Sequence, residues 1–159
     1  MTRIPAVLLC ALVPGIAFSS AVPEDTTLDQ VVERATTIVV AERVGESTHP
    51  SKYCVKDAMF DVSGTALAGD FTVEGANDEL FKQIGEAQKA GRPYPIPILP
   101  VYRPAAPFDI NKTSPVILFL FKLSEGKYKF VVEGAAEQVT EKKTVLKSML
   151  RLKKPTKKK

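Results

Sequence analysis

The chain has 159 residues, 45% of them hydrophobic and 25% charged, a balance that belongs to a folded globular protein and excludes a disordered or multi-spanning membrane chain. One histidine, two cysteines and no tryptophan supply few parts for acid–base, nucleophilic or metal chemistry. Nine of the 22 basic residues fall within 142–159, where there is no acid after Glu141, so the remaining body is net acidic and its charge gives no reason to expect specific nucleic-acid recognition.

Arg3 followed by an apolar run from Ile4 to Phe18, with small residues at Ser19 and Ala21, predicts a secretory signal over residues 1–21 cut after Ala21. Pro14 and Gly15 interrupt the run, and it is shorter than the roughly 20 residues that span a bilayer. Leu8-Leu9 ahead of Cys10 does not fit a lipoprotein site. Export to the periplasm or the extracellular space is the expectation, with a single domain over 22–152 and a basic tail over 153–159. The mature chain then keeps one cysteine, Cys54, which cannot pair within the chain and is expected as a small buried hydrophobe.

Thr27-Leu28-Asp29-Gln30 is a capping box, and Leu28, Val31, Val32 and Ala35 form the apolar stripe of the short helix it starts. Thr36 to Val44 is rich in β-branched residues and reads as a first strand, closed by Gly45. Residues 46–52 read as a loop. Ala58, Phe60 and Val62 alternate with Asp57, Met59 and Asp61 in a second strand, Gly64 to Gly69 turn the chain, and Phe71 with Val73 marks a third.

A helix is expected from Asp78 to Ala90, with Asn77 as its cap and Leu80, Phe81, Ile84 and Ala87 as an apolar face that plugs the barrel base. Six prolines over 93–107 predict an extended, partly polyproline-like crossing packed along the body. Val116 to Phe121 is continuous apolar sequence, as in a strand covered on both faces, and Glu125-Gly126 turns into Tyr128 to Val132. Thr140 to Leu152 is a last amphipathic helix, with Glu141 early and cations late, as the helix dipole favours.

The expected fold is therefore β-rich α+β: a five-stranded OB-like Greek-key barrel with a helix between strands three and four and short N- and C-terminal helices. Alternation places Ile38, Val40, Phe60, Val62, Val73, Leu118, Leu120 and Phe130 in one shared core. Three segments carry a resemblance: Thr27 to Val44, Ala58 to Val62 with its turn at 64–69, and Val116 to Phe121 with Tyr128 to Gly134. In these the chain resembles small exported bacterial domains of the OB-like kind, similar to the netrin and metalloproteinase-inhibitor barrel. That resemblance implies a barrel and no catalytic signature. Inhibitors of that class begin on a cysteine and are rich in disulfides, whereas this chain would begin near Val22 with Cys54 alone.

No nucleophile elbow, zinc-binding H-E-x-x-H, P-loop or dinucleotide fingerprint occurs. His49, Cys54 and Asp57 lie close in sequence, but zinc commonly takes three or four His or Cys ligands and no further ones remain. Asp57 and Asp61 fall on one strand face and read as a wet surface. No catalytic residue, cofactor or metal is therefore assigned. The sequence favours an exported binding or structural module for an envelope protein, peptide or glycan. The alternative is attachment to acidic lipid, cell-wall polymer or nucleic acid through Lys153, Lys154, Lys157, Lys158 and Lys159. Asn111-Lys112-Thr113 is a glycosylation sequon, meaningful only in a eukaryotic secretory pathway.

Overall fold

The computed structural model describes residues 22–46, 50–94 and 96–153. In chain order these form β1 (Val22–Thr26), α1 (Leu28–Arg34), β2 (Thr37–Arg43), β3 (Ser51–Asp61), β4 (Asp70–Glu74), α2 (Asp78–Lys89), β5 (Ile98–Tyr102), β6 (Val116–Ser124), β7 (Lys127–Phe130), β8 (Ala136–Gln138) and α3 (Lys142–Leu152). Strands β2, β3, β4, β7 and β6 pair in that order, and β6 returns to β2, closing a five-stranded barrel. The β4–β7 pair is parallel and the others antiparallel, so the barrel is mixed. With its three helices this β-rich architecture is consistent with an OB-like barrel. The short β8 extends the β7 side of the long β6.

Two strands carry the packing. Thr37 to Ala41 and Val116 to Leu120 are buried at every position because one face lines the barrel and the other is covered by helices. Inside, Val39, Ala41, Val116, Leu118 and Leu120 meet Tyr53, Phe71, Val73 and Tyr128. Outside, Ile38, Val40, Ile117 and Phe119 meet Val31 and Val32 of α1 and Val145 and Met149 of α3. The register makes this division exact in parity: Ile38 stands opposite Phe119 and Val39 opposite Leu118.

The single shared core expected from alternation is therefore wrong. Ile38 and Val40 belong to the outer cluster and Val73, Leu118 and Leu120 to the inner one. Phe60 packs on the outer cluster and Phe130 touches both, while Val62 lies beyond the end of β3 and is 68% exposed. Two-sided burial removes the polar alternation that would have marked the faces, and register shifts at Ile38/Val39 and Val40/Ala41 uncouple β3 from the simple count.

The expected barrel plug also fails. Helix α2 buries no residue, and Phe81 is 50% exposed. Aromatic side chains from the strands already fill the interior: Tyr53 stacks on Phe71 at 6.0 Å, and Phe71 meets Tyr128 edge-on at 5.5 Å. Leu67, Phe108 and Ile110 pack onto this cluster from the connecting segments. Asn77 makes no side-chain cap; instead Asp78 reaches back to accept from the Gly75 N–H at 2.7 Å. Replacing Phe81 with alanine should accordingly change unfolding free energy by less than about 1 kcal/mol in urea melts, because half of the residue is already in water and the rest lies on a helix that buries nothing; a loss of 3 kcal/mol or more would restore the plug.

The N-terminal capping box forms as expected, with the Thr27 N–H donating to Gln30 Oε1 at 2.9 Å and the Gln30 N–H to Thr27 Oγ1 at 3.3 Å. Helix α3 closes over α1 through Ser148, whose hydroxyl donates to Asp29 Oδ1 at 2.6 Å, and through Arg151, which pairs with the other oxygen. The Ser148 hydrogen bond and then the Arg151 guanidinium hold the Asp29 carboxyl below the usual range, against the opposing effect of desolvation. The loop expected over 46–52 is shorter than read, since β3 begins at Ser51.

The proline-rich crossing is more regular than its composition suggests. Its residues Ile98 to Tyr102 pair in parallel with Val22 to Thr26, making a two-stranded sheet outside the barrel. The Tyr102 N–H donates to Glu133 O at 2.8 Å and the Glu133 N–H to Pro100 O at 3.3 Å, so β5 is fastened to the segment after β7.

Candidate functional site

Strand β8 sets the site. Its Ala136 points into the barrel cluster, so the next residue, Glu137, must point to the other side. There its side chain is 2% exposed, an uncommon position for a carboxylate. The Tyr102 hydroxyl, at the end of β5, donates to Glu137 Oε1 in a close contact, and the Ala105 N–H donates to the same oxygen at 3.0 Å. The other oxygen, Oε2, is buried and has no hydrogen-bond partner among the described residues.

Tyr102 is held in place from behind, its ring meeting Phe119 edge-on at 6.1 Å. Burial, the hydrogen bond to Glu137 and the carboxylate charges of Glu137 and Glu141 push its phenol far above the ordinary value, so it stays a hydrogen-bond donor. The close approach of β5 depends on Gly134, whose φ is +72° and whose added Cβ would lie 2.7 Å from Tyr102 O.

Glu137 lines a cavity of about 230 Å³ between the ends of β1 and β5 and the starts of α1 and α3. Thr26, Leu28, Arg103 and Glu141 share its wall. Arg103 turns its charge to Asp25, with Nε 2.8 Å from Oδ1, and the Thr144 hydroxyl donates to Glu141 Oε2 at 3.0 Å. The recess thus combines two carboxylates with an apolar side wall. It can accept hydrogen bonds and balance positive charge.

The residues singled out from sequence lie elsewhere. Cys54 is half-buried on β3, and the Asp70 carboxylate beside it, followed by desolvation, raises its thiol above the ordinary value. It should therefore react slowly with Ellman's reagent at mildly alkaline pH, and faster in Asp70→Asn; a native thiol as fast as the unfolded chain's would contradict this environment. His49 lies outside the described residues. Asp57 pairs with Lys142 of α3 at 2.5 Å, while Asp61 accepts from the Thr37 hydroxyl at 3.0 Å and the Ser63 N–H at 2.8 Å, so the two carboxylates hold different parts of the fold. Among the described residues no group of three or more His, Cys, Asp or Glu is placed to hold a metal, and no helix is long and apolar enough to cross a membrane.

Lys153 departs from the tail expected to start with it. Its ammonium donates to Ala35 O at 2.9 Å and Glu33 O at 3.4 Å and sits 4.3 Å over the Phe60 ring, closing the end of α1. Desolvation lowers its pKa from the ordinary lysine value. Lys154, Lys157, Lys158 and Lys159 lie outside the described residues. No family model matches the chain, and neither a curated protein nor a solved structure matches it significantly.

Proposed function

We propose that the protein is an exported, non-catalytic binding module of the cell envelope, built on an OB-like Greek-key barrel, that holds its ligand beside the barrel at Glu137. The observation that carries this reading is a buried carboxylate with one oxygen unmatched, lining a recess. The interior of the barrel is filled by Tyr53, Phe71 and Tyr128, which leaves the outer recess as the better receptor. Supporting the Greek-key assignment is the strand order β2-β3-β4-β7-β6, with α2 falling between β4 and β6 in the chain.

Export is supported by the signal-like segment over 1–21. Cleavage after Ala21 would keep every described residue of β1, and the Val22 nitrogen already donates to Pro97 O at 3.1 Å. The full chain should be recovered from the periplasm or medium of an exporting bacterial host beginning at Val22, as read by N-terminal sequencing. Cytosolic protein that still begins at Met1 would overturn export.

Attachment to an anionic surface is the second reading, favoured by α3. That helix exposes Leu146 and Leu150, the latter by 74%, beside the exposed Lys143 and Lys147, and it leads into the remaining tail lysines. Intact protein should then sediment with anionic vesicles more than a chain ending at Lys153, and the difference should vanish at high salt. Equal sedimentation at low salt would eliminate the tail's part in attachment.

A further inference from the structure

We infer that the Glu137 recess takes a primary alkylammonium group, an inference that rests on the binding-module reading above. Its foundation is the unmatched Oε2 of a side chain 98% buried by the fold, as its 2% exposure implies. A buried acceptor of this kind gains from any donor that reaches it, and gains most from a charged one. Glu141 adds a second carboxylate to the same wall. The one cation on that wall, Arg103, is already balanced by Asp25, so the recess is left short of positive charge.

Shape selects among cations. At about 230 Å³ the recess is smaller than the roughly 300–1,000 Å³ of ordinary small-molecule sites and suits a compact head with a short chain. An ammonium carries three donors on one atom and can share them between Glu137, Glu141 and a hydroxyl such as that of Thr26. Leu28 and Ala105 on the same wall offer carbon surface for a few methylenes. A metal ion is served less well, since the described residues bring no third acidic, histidine or cysteine ligand to it. The same chemistry comes from a free aliphatic amine or from the lysine side chain of a peptide.

Titrating the full chain with 1-butylammonium chloride in a calorimeter should give saturable one-to-one binding, with sodium butyrate and tetramethylammonium giving none. Glu137→Gln keeps shape and the acceptor facing Tyr102 and should weaken binding about tenfold or more; Glu141→Gln should weaken it by a smaller factor. Comparing 1,4-diaminobutane with N-acetyl-lysine amide separates the sources, the tighter of the two naming the free amine or the peptide. Amide chemical shifts of Ala105 and Arg103 in the wild-type chain provide a readout that needs no variant, and they should move with ligand. Binding absent, unchanged by Glu137→Gln, or marked by shifts confined to other regions would overturn the assignment. If butyrate or calcium chloride moves those amides and ammonium does not, the ligand class is wrong while the binding module stands; indifference to every probe removes both.

Discussion

Phe119→Ala is expected to cost about 3–5 kcal/mol of unfolding free energy, read from the urea midpoint at unchanged m-value. The ring is fully buried on the outer face of β6, where it stands opposite Ile38 and beneath the helix layer. Removing it leaves a cavity bounded by a closed barrel wall on one side, which cannot collapse easily. It also takes away the edge-on support of Tyr102, so the donor to Glu137 loosens with the core. A loss below about 1 kcal/mol would mean that the helices do not cover this face.

Gly134→Ala should cost about 2–4 kcal/mol, the sum of a left-handed backbone conformation and a collision with the Tyr102 carbonyl. The separation of these two causes is available within the same protein. Gly126 has φ +70° but open space where its Cβ would go, so Gly126→Ala should cost only about 1–2 kcal/mol. The excess at Gly134 measures the close approach of β5, and parallel thermal melts of the two variants give it directly. Equal losses would show that β5 does not press on Gly134.

The elements that sequence made legible are those whose local chemistry decides their fate. The capping box at Thr27 and Gln30, the helix that opens at Asp78 and the turn at Gly126 depend on neighbouring residues, and they stand where the pattern puts them. The barrel is legible in outline because Val116 to Leu120 is apolar enough to need cover on both faces. What the pattern could not give was the partition between those faces. Ile38, Val39 and Val40 are equally apolar, and only the pairing with β6 and the register shifts against β3 decide which point inward. Pairing of β1 with the proline-rich β5 was hidden for another reason. Parallel partners far apart in the chain leave no local mark, and prolines argue against a strand until its edge position is known.

The candidate site was almost wholly illegible. Glu137 is one acid after Ala135-Ala136, in a strand of three residues, and its burial comes from Tyr102 and Ala105, which lie more than 30 positions away. The only local hint is alternation after a small buried alanine. The charge pattern points instead to the C-terminal lysines, of which Lys153 closes the end of α1.

The most direct measurement is the carboxyl carbon resonance of Glu137, assigned by its loss in Glu137→Gln, followed while 1-butylammonium is added to the intact protein. A ligand held at Glu137 gives a saturable shift that tracks the Ala105 amide and leaves the carboxyl of Glu79, on the exposed face of α2, unmoved. A Glu137 resonance that moves no more than that of Glu79 would contradict it.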